Sequence, residues 1–189
     1  MRALLRLTVC ARVEIWDPKT EEFRLIKAKH DVPRSYHSSV VLMHDGRVFT
    51  GGGGLCGKRC DVNHLDMQLY SPPYLFNDDG TPAVRPEITV SAAKAGYGAA
   101  VEVTSTQELG MVSFIRFGSA THSTNTDARR IELCGADTVA CATLWNGMAY
   151  ELALPADAGV APPGNWMLFG VNTVGVPSVA ATVQLMPGA

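Results

Sequence analysis

The chain has 189 residues, 47% of them hydrophobic and 18% charged, with a formal net charge of -2 at pH 7. That length allows one large domain, or a small one with part of another, and the near-neutral charge offers no basic surface for nucleic acid. No window approaches the ~20 consecutive apolar residues of a membrane-spanning helix, while 18 Gly and 11 Pro favour short strands joined by turns.

In chain order, the opening segment from Met1 to Cys10 is basic and apolar, but Arg6 interrupts it. It lacks the apolar core and small-residue cleavage site of a secretory leader. Val13-Glu14-Ile15-Trp16 then alternates like a strand, as though the chain began mid-domain, and Asp17-Pro18-Lys19-Thr20 turns into a second strand at Glu22–Ile26. A third strand, Ser38–Met43, meets the hairpin signal His44-Asp45-Gly46 and continues as Arg47–Thr50. The run Gly51–Gly54 ends that strand, where backbones pack closely or take positive φ. Together these elements form one unit of a Kelch-like propeller blade, and a single blade has no neighbours against which to bury its faces.

The segment Leu75–Pro82 is the expected linker, and from Arg85 onward the pattern changes. Alternating strands are expected at Ala100–Val103, Met111–Phe117, Arg130–Leu133, Ala149–Leu154, Trp166–Val171 and Ala180–Leu185. Six or seven short strands over about 100 residues describe an immunoglobulin-like sandwich.

Five cysteines leave an odd one. Cys56 and Cys60 sit in a glycine-bearing turn that suits a small disulfide loop. Cys134 and Cys141 flank Gly135-Ala136-Asp137, a hairpin turn that sets them across two strands; they are either a second disulfide or free buried thiols. Two such pairs fit an oxidising compartment. Cys10 is left over.

The chemistry-bearing residues are Tyr36-His37 beside the glycine run, and His122 on a distant loop. A phenol and two imidazoles form a nitrogen and oxygen donor set that suits copper(II) better than a closed zinc site. Neighbours on a strand point to opposite faces, so Tyr36 and His37 reach one metal only if the backbone kinks there. Elsewhere the structural readings lead. His64 and Asp66 are assigned a structural role, His30 and His44 are expected in solvent, and Trp16, Trp145 and Trp166 are expected in packing. Arg129-Arg130 is expected to meet local carboxylates or carbonyls. The four glycines are no phosphate loop, because no Gly-Lys-Ser/Thr and no helix follow.

Pro33-Arg34-Ser35-Tyr36-His37-Ser38, Asp45–Phe49, Gly51–Cys56, Asn63-His64, Tyr70–Leu75 and Arg85-Pro86 resemble the copper radical oxidases of the galactose oxidase and glyoxal oxidase type. So do Gly118–Asp127, Arg129-Arg130, Pro163–Phe169 and Gly175–Ala180, and the resemblance runs from about Val13 to Leu185. It implies a partial Kelch-like propeller, the final blade region, over residues 1–80, and an immunoglobulin-like, early-set C-terminal sandwich over 81–189. It implies copper held by Tyr36, His37 and His122, with Tyr36 as the general base that takes the substrate hydroxyl proton. The implied reaction oxidises a primary alcohol, aldehyde or sugar with O2 to give H2O2, in a secreted enzyme.

The resemblance also implies a radical tyrosine cross-linked to a cysteine on earlier blades, and no match to either stands in this chain. Cys56 and Cys60 match a small disulfide loop of the family, with one extra residue between them. The expectation is therefore a C-terminal portion of an oxidase, inactive by itself, whose partners are the missing blades. The alternative is a non-catalytic sandwich module that binds carbohydrate or protein.

Overall fold

The computed structural model describes residues 12–34, 36–54, 63–122, 124–144 and 148–187. Cys10, Cys56, Cys60 and Trp145 lie outside the described residues. The fold is all-β, with a single 3-10 turn at Pro73–Leu75 among the described residues.

The first two strands, β1 (Arg12–Asp17) and β2 (Glu22–Lys29), pair only with each other among the described residues. Asp17 closes their turn by accepting the Lys19 amide proton at 2.8 Å. Strands β3 (Ser38–Leu42), β4 (Val48–Gly52) and β5 (Met67–Tyr70) form a separate antiparallel sheet in that order. The hairpin and the sheet therefore do not join into one four-stranded unit, and no sheet closes on itself among the described residues. Strand β4 also runs two residues into the glycine run, and β5, which has no strong alternation signal, was not expected.

Residues 88–186 form two packed sheets. One has the order β12 (Arg130–Cys134), β9 (Leu109–Arg116), β14 (Gly164–Asn172), β15 (Ala181–Met186) and β7 (Lys94–Gly96). The other runs β13 (Ala149–Ala153), β8 (Ala100–Ser105) and β6 (Ile88–Val90). Between them Val101 and Val103 of β8 and Tyr150 and Leu152 of β13 meet Val112, Phe114, Trp166, Leu168, Val183 and Leu185 of the larger sheet. Phe114 stacks on Trp166 with ring centroids 4.6 Å apart and planes 6° from parallel, a pairing worth about 0.5–1.5 kcal/mol beyond burial.

Strand β14 departs from simple alternation. Trp166 and Leu168 fill the inter-sheet core, yet Met167 and Phe169 on its other face are buried too. That outer face lies against the β3–β4 turn, where Leu42, Gly46 and Tyr74 line an apolar cavity of about 210 Å³ with Phe169 and Val171. Arg85 staples the same junction, its guanidinium donating to the carbonyls of Asp45 at 2.8 Å and Pro177 at 2.8 Å. His44, expected in solvent, belongs to this junction instead. Its Nε2 lies 2.9 Å from Thr182 Oγ1, and its ring packs edge-on to Phe117.

Other expectations also change. Leu75–Pro82, the expected linker, contains a folded turn with Leu75 buried and Asn77 N donating to Thr81 O. Trp16 is 50% exposed, because β1 has no second layer over it among the described residues, whereas Trp166 is wholly buried. Cys134 and Cys141 are joined in a disulfide with Cα atoms 5.0 Å apart. No return strand carries Cys141, so the bond closes a loop at the end of β12 rather than bridging a hairpin.

Candidate metal centre

Tyr36 and His37 lie in a turn immediately before β3, and His122 lies at the tip of a hairpin formed by β10 (Ala120–Thr121) and β11 (Thr124–Asn125). Strand β10 packs beside β3, and this contact brings the two parts of the chain together. The Tyr36 and His37 ring centroids are 3.9 Å apart, His37 and His122 are 5.0 Å apart, and Tyr36 and His122 are 5.6 Å apart.

The kink demanded by neighbouring ligands is present. His37 adopts φ 62°, so the chain leaves the strand conformation and both side chains reach one side. His122 adopts φ 49° at the first position of its two-residue hairpin loop, where primed turns require positive φ. Left-handed backbone is uncommon away from glycine, and surrounding structure must hold it.

For His37 that structure is the glycine run. Gly52, Gly53 and Gly54 all take positive φ, at 73°, 124° and 108°. Gly54 N donates to the Tyr36 carbonyl at 2.7 Å, and a Cβ on Gly52 would sit 3.0 Å from the His37 carbonyl oxygen. Arg34 ties the arrangement down: Nη1 donates to Gly52 O at 2.9 Å and to Asp66 Oδ1 at 3.1 Å. Its side chain is 5% exposed, and hydrogen bonding from Arg34 holds the Asp66 carboxyl below the ordinary range. Asp66 is thus structural, as expected, and His64 joins the same turn, its backbone N–H donating to Gly53 O at 2.8 Å. The sequence placed Arg34 in a motif but gave no sign of its role, since only the fold brings Gly52 and Asp66 to it.

For His122 the support is local. Nδ1 lies 2.8 Å from Thr121 Oγ1, Thr124 Oγ1 donates to Thr121 O at 2.8 Å, and the Asn125 carboxamide accepts the Ser119 amide at 2.9 Å. Ser38 and Thr121, the sequence neighbours of His37 and His122, line a cleft of about 310 Å³ with Ser39 and Thr124.

The spacing of the two imidazoles is short enough for one shared ion. Metal–nitrogen bonds near ~2.1 Å, with a ring centroid roughly 1.1 Å behind its nitrogen, allow two imidazoles on one metal up to about 6.4 Å apart. The 5.0 Å between His37 and His122 lies inside that limit. No group of three His, Cys, Asp or Glu gathers among the described residues, so the phenol of Tyr36 is the third donor available. Tyr36 is 50% exposed and both imidazoles are exposed, which makes this an open face rather than a closed cage.

Arg129 and Arg130 take the ordinary roles expected of them. Arg129 donates to the Gly159 carbonyl at 3.1 Å, and Arg130 pairs with Glu132 at 3.2 Å.

Residues 85–185 match the sequence-family profile described as the galactose oxidase-like, early set domain. Over 175 residues the chain is 43% identical to a galactose oxidase from Gibberella zeae, covering 91% of this chain and 24% of that protein. It is 34% identical to the aldehyde oxidase GLOX of Vitis pseudoreticulata, covering 82% of this chain and 31% of that one. A solved fungal alcohol oxidase of the AA5 family, in complex with copper, superposes with a TM-score of 0.82 at 42% identity. That match covers 93% of this chain and 36% of the other. The chain thus spans about a quarter to a third of the length of the proteins it matches.

Proposed function

The chain belongs to the galactose oxidase-like family of copper radical oxidases, and from that premise we propose that it supplies the Tyr36, His37 and His122 side of a copper site for alcohol or aldehyde oxidation. One observation carries the reading. Two rings from the turn before β3 and one from a hairpin of the sandwich region converge within 3.9–5.6 Å.

In this reading His37 and His122 hold copper through imidazole nitrogen, and the Tyr36 phenol oxygen takes the proton of the substrate hydroxyl. Bound copper supplies the redox centre for converting an alcohol and O2 to an aldehyde and H2O2, together with a tyrosyl radical housed elsewhere. Residues 12–70 are read as propeller strands, with a domain boundary near residue 80, and other propeller strands as their partners. The exposed faces support this: Trp16, Phe23, Leu25 and Met67 leave large apolar surface uncovered, which packing against neighbouring strands would bury. A secreted location is consistent with the Cys134–Cys141 disulfide. Primary alcohols, aldehydes and galactose are the substrate class, and the isolated chain is expected to be inactive.

The test is copper titration of the full chain beside a peroxide assay on simple alcohols, aldehydes and galactose. One bound copper, lost on His37→Ala and His122→Ala, with no peroxide release, is the expected result. Undiminished copper binding in both variants would overturn the ligand assignment, and copper-dependent turnover by the chain alone would overturn its inactivity.

A further inference from the structure

Beyond the three donors, the geometry points to Thr121 as a positioning residue for His122: we propose that its hydroxyl accepts the His122 Nδ1 proton and so reserves Nε2 as the metal donor. The inference rests on the reading of His122 as a copper ligand.

An imidazole offers a metal one lone pair from one nitrogen, and the hydrogen bond made by the other nitrogen decides which. In this chain Nδ1 is already engaged, 2.8 Å from Thr121 Oγ1. A metal at Nδ1 would have to displace that hydroxyl, whereas a metal at Nε2 leaves the contact intact. With Nδ1 protonated and donating, Nε2 carries the free lone pair.

The hydroxyl itself is held in place. Thr121 ends β10 and faces Thr124 of β11 across the hairpin, and Thr124 Oγ1 donates to Thr121 O at 2.8 Å. Around them the Asn125 side chain accepts the amides of Ser119 at 2.9 Å and Asp127 at 3.2 Å, and Thr126 N donates to Ser119 O at 3.1 Å. The hairpin is thereby braced at its base, and the Thr121 backbone, from which the hydroxyl reaches Nδ1, is braced at its tip. The left-handed φ of 49° at His122 directs its ring toward Tyr36 and His37. Position 121 therefore requires a side chain that is short and bears a hydroxyl, a demand separate from β-strand preference.

Two measurements on the full chain test this, using Thr121→Val, which keeps the shape and removes the hydroxyl, and Thr121→Ser, which keeps the hydroxyl. In metal-free protein, nitrogen-15 NMR of the His122 ring is expected to show the Nδ1–H tautomer in wild type and Thr121→Ser, and a shift toward Nε2–H in Thr121→Val. In copper(II) titrations, Thr121→Val is expected to weaken binding about 10-fold or more, and Thr121→Ser to stay within about threefold of wild type. An Nε2–H tautomer in wild type, or an unchanged tautomer in Thr121→Val, overturns the proposal, as does unaltered copper affinity in a Thr121→Val protein whose wild type binds copper. If the wild type binds no copper, the ligand reading fails, and the tautomer measurement alone decides the role of Thr121.

Discussion

At the scale of single residues, the two imidazoles sit where local preference does not favour them. His37 at φ 62° and His122 at φ 49° have left-handed backbones, in which Cβ crowds the following carbonyl at a cost of about 1–2 kcal/mol each. Asparagine, whose short side chain hydrogen-bonds locally, visits that conformation more readily. The substitution His122→Asn is therefore predicted to raise unfolding free energy by up to about 1 kcal/mol while removing a proposed copper donor. Urea unfolding and copper titration of the same protein check both halves, and a loss of stability would remove backbone strain as the explanation. The proposed donors Tyr36, His37 and His122 were legible because a phenol and two imidazoles stand inside motifs that resemble those of copper oxidases. The roles of Arg34 and Thr121 were not, because what distinguishes them is a partner: the Gly52 carbonyl and the Asp66 carboxylate for Arg34, and one ring nitrogen for Thr121.

At the scale of elements, strands with polar and apolar alternation were legible and those without it were not. Val101, Val103, Tyr150 and Leu152 alternate into the core as expected for β8 and β13. Strands β7, β10 and β11, of two or three residues, are too short for periodicity to register. In β14 the apolar run Trp166-Met167-Leu168-Phe169 reflects burial on both faces, a consequence of the N-terminal segment lying over the outer one. The end of β12 is secured by the Cys134–Cys141 disulfide, and Glu132 Oε1 accepts the Asp137 amide at 2.9 Å inside the same loop. Replacing both cysteines by serine is predicted to destabilise the fold by about 2 kcal/mol, the loop-closure entropy of so short a ring. Chemical denaturation of oxidised wild type beside the double variant measures it, and equal midpoints would show that the loop closes without the bond.

At the scale of the whole molecule, the junction between the β3–β5 sheet and the sandwich decides whether Tyr36 and His37 meet His122. Arg85 donates to carbonyls on both sides of it, and the Tyr74 hydroxyl donates to Gly46 O at 2.5 Å. Burial pushes the Tyr74 phenol up to about 12, against the opposing charge of Arg85. A raised pKa means that the folded state favours the neutral phenol, so this contribution is complete below pH ~10 and lost as pH rises from about 10 to 12. Because Tyr74 is 38% exposed, solvent screening limits the effect to about 1–2 kcal/mol. Unfolding free energies at neutral pH and at increasing alkaline pH should show that fall, and Tyr74→Phe should flatten it; an unchanged slope would place the effect elsewhere. Burial also raises Tyr70, which supplies a residual slope in the variant.

By itself the sequence determined the all-β class, the alternating sandwich strands, the Asp45-Gly46 turn and the identity of the three side chains proposed as donors. These follow from period-two burial, positive-φ turn chemistry and functional-group identity, all of which are local properties. Only the tertiary structure decided which residues are neighbours: that β10 lies beside β3, that Gly54 holds the Tyr36 carbonyl, and that Arg34 reaches Asp66. It also decided that His44 is a packing residue and that Trp16 is half exposed. A lone histidine or tryptophan has the same local sequence signal in core, junction or solvent; what differs is whether another layer lies over it, and layers are set by long-range packing.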